Sequence, residues 1–336
     1  MLVRQLLLDL YAPLRGIEVR TIELYGFTLD AFSASLGHEC SVDDFDELLV
    51  ARFLSARKRT HAAATVAKDR SQLRALWEFA ARRGICKTFP TIALVKIPER
   101  IPEAWLTEDM VAILASCDQE QTTIADIPAR LWWRAIVLLA YETGERITPI
   151  LSLPWSNVVG CTVMFRAESR KNKTRDIRRG VSVACGDALW AIKQGRSGDQ
   201  LVFPWDRGRT YIWGRLGIIL ERAGMPHNRY CKFHRIRKTT ASYFEAGGGN
   251  AQRLLDHADP ATTRKYLDPR IVKTPQACDL LPSVFSHYQE VVGTACLNSP
   301  PPLARGGIAG IKPPHCLRRL KLPHRGSECS RREPRG

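Results

Sequence analysis

The sequence predicts a mainly α-helical protein in two parts, with one small β-hairpin in the second part. Three observations point there. Apolar residues recur at three- and four-residue spacing along most of the chain, the mark of helices with one buried face. The stretch "KIPERIPEAW" at 96–105 carries two prolines and no periodicity, so it reads as a linker between two helical regions. The β-like runs "NVVGCTVMFRAES" and "IRRGVSV" flank the turn-rich, basic "RKNKTRD", the pattern of a hairpin.

Residues 1–95 are expected to form a helical domain. "TIELYGFTLDAFSASLG" and "VDDFDELLVARFLSARKR" give two helices, and "THAAATVAKDRSQLRALWEFAARRG" a long amphipathic one ending near Gly84. Lys68, Arg70, Arg74, Arg82 and Arg83 lie on that last helix. They could track a phosphate backbone, but a solvated helix face is the ordinary reading of any one of them. After the linker, Thr107 is expected to cap a helix with Glu108 and Asp109 in its first turn. "ARLWWRAIVLLAYETG" predicts a buried helix ending at Gly144, with Trp132 and Trp133 in the core. Beyond the hairpin, helices resume at "TYIWGRLGIILERAG", "HRIRKTTASYFEAG", "NAQRLLDHA" and "PATTRKYLDP", filling out a second domain over 106–290. Residues 291–336 hold few large apolar groups to offset chain entropy and are expected to form a disordered basic tail.

The chain has 336 residues, 45% apolar and 25% charged, which are globular values. A net charge of +16 implies a polyanionic partner, and nucleic acid is the first candidate. The tail from Arg305 to Arg335 carries nine Lys and Arg against Glu328 and Glu333, so the body of the chain is basic as well. The ten cysteines include no CxxC pair and no zinc-like spacing, which fits free thiols in a reducing compartment. "MLVRQLLLDLYAPL" is interrupted by Asp9 and lacks a small-residue cleavage site, so it does not read as a signal peptide. No run approaches the roughly 20 apolar residues of a membrane span. The expectation is a cytoplasmic, nucleoid-associated protein with no membrane partner, no metal and no cofactor.

Four short segments carry candidate chemistry. "TGERI" sets Arg146 just past a helix end, with Gly144 freeing the turn. "RKNKTRD" offers Lys171 and Lys173 at the hairpin tip. "HRIR" places His234 and Arg237 one helical turn apart, where both can reach one ligand. "LLDHADPATTRKY" supplies His257 and, nine residues on, Tyr266. Each segment alone is weak: a lone tyrosine is more often core than catalyst, and a lone histidine more often a hydrogen-bonded structural residue.

In this order the segments resemble the catalytic set of the tyrosine recombinases, the phage-integrase family. The resemblance covers roughly Leu106 to Pro269, and the helical N-terminal part is similar to that family's core-binding domain. It implies a mostly α-helical catalytic domain with these roles: Tyr266 the nucleophile, Arg146, Arg237 and His257 on the phosphate, His234 a base or an orienting group, and Lys173 or Lys171 the general acid. The activity implied is site-specific cleavage and rejoining of DNA strands through a 3′-phosphotyrosine. The partners implied are double-stranded DNA and, in synapsis, three further copies of the chain, joined through an exchanged segment at 273–288. Three departures stand out. Pro149 occupies the position of a usual acidic residue, Asp256 that of a usual glycine, and the stretch from Arg237 to His257 is short. Two other classes fit parts of the pattern: a type IB topoisomerase-like enzyme, and a DNA-binding protein that has lost catalysis.

Overall fold

A computed structural model of the chain describes residues 1–170 and 175–273, and beyond them 280–282, 284 and 288. Met1–Thr274 form one unit and Pro275–Gly336 a second. Lys171, Lys173, most of the expected exchanged segment and the whole of the expected tail lie outside the described residues.

The N-terminal part is built on helices Val19–Leu36, Glu47–Thr60 and Ala63–Arg82. A helical run from Val3 to Arg15 precedes them, π-helical over Leu6–Tyr11. Asp46 starts the second helix by accepting from the Leu48 and Leu49 amides at 2.8 and 3.0 Å, which satisfies two of its open donors. Leu6, Phe32, Val50, Leu73, Leu76 and Trp77 form the core of this part, with Phe45 stacked on Trp77. Arg70 departs from the solvated face expected of it. It is buried and donates to the carbonyls of Ala93 and Ile92, both at the start of the segment that leads out of this domain. Residues 88–106 are neither helix nor strand. Their carbonyls therefore need outside donors, and a guanidinium supplies two.

The second part starts with helix Thr107–Cys117. Thr107 is the first helical residue rather than the cap: Leu106 holds that place, its amide donating to the Asp109 carboxylate at 2.8 Å. The Thr107 hydroxyl is instead engaged with the Tyr243 hydroxyl at 3.0 Å, and so is the Thr107 amide. A two-residue strand pair, Thr123–Ile124 with Ile127–Pro128, leads into helix Ala129–Thr143. That helix is buried nearly all round, Trp132, Trp133, Ile136 and Leu139 being inaccessible, so it forms the centre of the second core.

The predicted hairpin is there with a third strand. Thr162–Phe165 pairs antiparallel with Ile177–Gly180, Val163 facing Arg179 and Phe165 facing Ile177. Val158–Val159 pairs on its other edge because Gly160, at φ +55°, turns the chain back on itself. Val163 and Phe165 alternate into the core as a half-buried strand requires. Helix Val183–Ala191, capped by Ser182, was not anticipated. Helices Arg209–Arg222, Phe233–Ala246, Ala251–Leu255 and Pro260–Arg264 complete the domain, the second of these packing against Ala129–Thr143. Among the described residues no helix is long and apolar enough to cross a membrane.

Candidate active site

The end of the central helix presents Arg146. Gly144 closes Ala129–Thr143 in the left-handed conformation, φ +62°, its amide bonded to the Ala140 carbonyl at 3.0 Å. A Cβ there would stand 3.3 Å from the Thr240 methyl and 3.5 Å from Leu255, so sterics and dihedral both favour glycine. Arg146 follows as the N-cap of the short helix Ile147–Leu151, half-buried.

Helix Phe233–Ala246 supplies the next two groups. Arg237 is almost wholly buried, and its fork donates to two main-chain carbonyls, Gly144 and Leu255, the latter at 2.8 Å. His234, one turn earlier, keeps an open edge to solvent. His257 follows the helix Ala251–Leu255. Its Nδ1 lies 3.1 Å from the Thr263 hydroxyl, which leaves Nε2 facing Arg237 at 3.5 Å.

Tyr266 sits just past helix Pro260–Arg264, which Asp259 caps at the Ala261 amide. Its position is held by backbone bonds on both sides. The Tyr266 amide donates to Thr263, the Ser242 hydroxyl donates to the Tyr266 carbonyl, and the Asp268 amide donates to Ser242. Asp268, itself buried, accepts from the Ala104 amide at 2.7 Å, tying this segment to the end of the linker. The Tyr266 ring lies 4.9 Å from the His234 ring and 5.0 Å from the His257 ring, centroid to centroid, with the Arg237 guanidinium 5.8 Å from its centre. A second tyrosine on the same helix as Arg237, Tyr243, points elsewhere, its hydroxyl engaged by Thr107.

The charge balance in this cluster is positive. Burial, and then Arg237, Lys238, Arg146 and His257, push the His234 pKa down to about 4. His257 is likewise down to about 4, through burial, Arg237 and Arg146. Arg237 itself falls to about 10, from burial and the nearby Arg146. Burial and the fixed cations around both rings thus favour neutral imidazoles.

The only carboxylate buried beside Arg146 among the described residues is one the sequence did not single out. Glu145, immediately before Arg146, is buried and accepts from Arg170 at 3.0 Å. Arg170 also donates to Asp256 at 2.8 Å. Pro149, where an acidic residue is usual in the family, is buried within helix Ile147–Leu151. The buried carboxylate one residue before Arg146 accepts from the Arg146 amide and the Arg170 guanidinium. The "TGERI" segment spells Glu145 out, but nothing local gives its partner, which is 25 residues away.

Arg146, His234, Arg237, His257 and Tyr266 therefore converge; Lys171 and Lys173 are outside the described residues. The phage integrase family model matches residues 105–271, and the model of the phage integrase N-terminal SAM-like domain matches residues 8–84. The chain belongs to the phage integrase family. Like the tyrosine recombinases of that family, this integrase is a DNA breaking-and-rejoining enzyme that works by strand exchange. The tyrosine recombinase XerD of Haemophilus influenzae is 26% identical over 282 residues, 78% of this chain and 91% of that protein. The fold is shared with a lambda integrase tetramer bound to a Holliday junction, at TM-score 0.62 and 18% identity, over 81% of this chain and 78% of that one. It is shared also with the Tn1549 transposon integrase in complex with transposon right end DNA. There the TM-score is 0.65 and the identity 12%, over 88% of this chain and all of that one.

Proposed function

We propose that Tyr266 is the nucleophile of this integrase and that Arg146, Arg237, His257 and His234 gather around the scissile phosphate of duplex DNA. The packing of one tyrosine ring between two histidines and beside a buried arginine carries this assignment. Tyr266 Oη attacks phosphorus, the bond from phosphorus to the 5′-oxygen breaks, and a 3′-phosphotyrosine stores the bond energy for rejoining. Arg146 and Arg237 place fixed positive charge where the phosphorane gains negative charge, and a guanidinium fork matches two of its oxygens. His257, with Nδ1 turned to Thr263, has Nε2 left for a phosphate oxygen. His234, neutral at pH 7, can accept the tyrosine proton or orient the ring. Lys173, or else Lys171, delivers a proton to the departing 5′-oxygen, a role worth roughly 100- to 10,000-fold in rate.

Around this site we assign residues 1–95 and 106–290 as two DNA-binding domains that close on the duplex through the linker at 96–105, and 291–336 as a tail dispensable for cleavage. The net charge of +16 supports DNA as the partner, and the lambda integrase tetramer on a Holliday junction supports assembly as a tetramer.

The test uses the full chain with duplex DNA spanning the ends of the genetic element that encodes it. Wild type is expected to form a covalent adduct that survives denaturation. Tyr266→Phe should bind that DNA as tightly and form none, since the substitution removes one oxygen and keeps the ring packing. An adduct from Tyr266→Phe would move the nucleophile elsewhere, with Tyr243 next to be tried.

A further inference from the structure

Tyr266 lies in a turn past the end of helix Pro260–Arg264, so no helix or strand ladder fixes its main chain. A series of buried bonds fixes it instead, and the series ends far from the site in sequence. The Tyr266 carbonyl accepts from the Ser242 hydroxyl at 3.2 Å, and the same hydroxyl accepts from the Asp268 amide at 2.9 Å. The Asp268 carboxylate, inaccessible to solvent, accepts in turn from the amide of Ala104, 164 residues away, at 2.7 Å.

The other donors to Asp268, among the described residues, belong to Arg270. They are its backbone amide at 2.9 Å, its Nε at 3.1 Å and its Nη2 at 2.7 Å. Arg270 Nη2 also donates to the Ala104 carbonyl at 3.0 Å, so the segment of the tyrosine engages both polar groups of Ala104. Trp105, the next residue, is bound to the opposite wall. Its amide donates to the Thr239 hydroxyl at 2.7 Å, on the helix that carries His234 and Arg237, and its ring lies 3.8 Å from the Arg235 guanidinium. Two adjacent residues are thus bolted, one to the segment of Tyr266 and one to the helix of its ring neighbours. An apolar side chain could fill the space of a buried ion pair at no loss of stability. It could not hold the Ala104 amide at a fixed bearing.

We propose that Asp268 is a positioning residue for the nucleophile: by tying its segment to Ala104, it aims Tyr266 at the phosphate that His234 and Arg237 face. This rests on the assignment of Tyr266 as the nucleophile. A reacting group displaced by about 1 Å can cost around 100-fold in rate. The device acts on cleavage alone. Once Tyr266 is joined to phosphorus, the covalent bond itself holds the ring in place. Positioning then has nothing left to contribute when a 5′-hydroxyl attacks to rejoin the strand.

The test times the two directions separately, with the full chain and duplex DNA spanning the ends of its genetic element. A nick a few nucleotides 3′ of the scissile phosphate lets the short 5′-hydroxyl fragment diffuse away, so the adduct accumulates in a single turnover. An oligonucleotide with a 5′-hydroxyl is then added and rejoining is timed. Asp268→Asn keeps the volume but sets an N–H donor against one of the donors that the carboxylate accepted. It should form adduct about 100-fold more slowly, with DNA affinity unchanged and rejoining within a few-fold of wild type. Arg270→Ala, whose side chain is 51% exposed and whose loss should not disturb folding, should show the same asymmetry at smaller amplitude. Equal slowing of cleavage and rejoining would overturn the proposal, and is what a general loosening of the site predicts. Unchanged cleavage in both variants would overturn it too, and if Asp268→Asn does not fold, Arg270→Ala decides alone. Tyr266→Phe tests the underlying assignment separately. If it still forms an adduct, the nucleophile lies elsewhere; if it forms none while Asp268→Asn cleaves as wild type does, the nucleophile stands and the positioning role falls.

Discussion

Arg237 donates a hydrogen bond to the main-chain carbonyl of Gly144, so the second arginine of the site holds the turn that presents the first. Gly144 and Arg146 are two residues apart. The same guanidinium donates to Leu255, two residues before His257. A buried group that braces both turns sets the spacing between Arg146 and His257, two of the groups that reach the site from outside the helices.

Gly144→Ala should damage this turn from the other side. The left-handed φ of +62° and the 3.3 Å approach to Thr240 leave a methyl group no relaxed position. The dihedral alone costs roughly 1–2 kcal/mol, and the melting temperature should fall by about 2–8 °C for a domain of this size. Covalent adduct yield, measured well below the transition, should drop further than the lost stability explains. Unchanged melting and unchanged yield together would show that the turn tolerates a side chain.

Arg237→Lys keeps the charge and removes the fork. A single ammonium cannot replace two nitrogens aimed at Gly144 and Leu255, so one buried carbonyl loses its donor at a cost of about 1–3 kcal/mol. Urea unfolding should show a lower midpoint with an unchanged slope. Adduct formation should fall about 100-fold or more, as for loss of an oxyanion contact, with DNA affinity little changed. A lysine variant that cleaved at the wild-type rate would reduce Arg237 to a point charge.

The pH dependence of stability follows from the two histidines. Both have folded pKa values near 4, against about 6.5 in an unfolded chain. Between those values the unfolded chain takes up protons that the folded one refuses, so stability should fall as pH drops from about 6.5 toward about 4 and stay level with respect to these groups above that window. The double variant His234→Asn with His257→Asn should lose much of that slope in thermal unfolding run from pH 7 to pH 5. Bound DNA should reverse the shift, because a phosphate favours the charged ring; binding near pH 5.5 is then accompanied by proton uptake, seen as a dependence of binding heat on buffer ionisation. If wild type and double variant lose stability in parallel as the pH falls, other groups dominate acid sensitivity.

Helix periodicity, the Gly144 stop and the hairpin signal were legible in the sequence because each depends on residues a few positions apart, where backbone preference and one-sided burial act directly. The candidate site was legible too, as spaced motifs whose residue types suit phosphate chemistry. Other features took the tertiary structure to decide. Arg70 reads as one more charge on a solvated helix, yet it turns inward because the unpaired carbonyls of Ile92 and Ala93 lie within its reach. Thr107 reads as a cap, but a hydroxyl 136 residues away takes its side chain. Glu145, Arg170 and Asp256 read as three unrelated charges until the fold buries them against one another. The physical reason is the same each time. A polar group removed from water must find a partner, and which partner it finds depends on distances that only the folded chain sets.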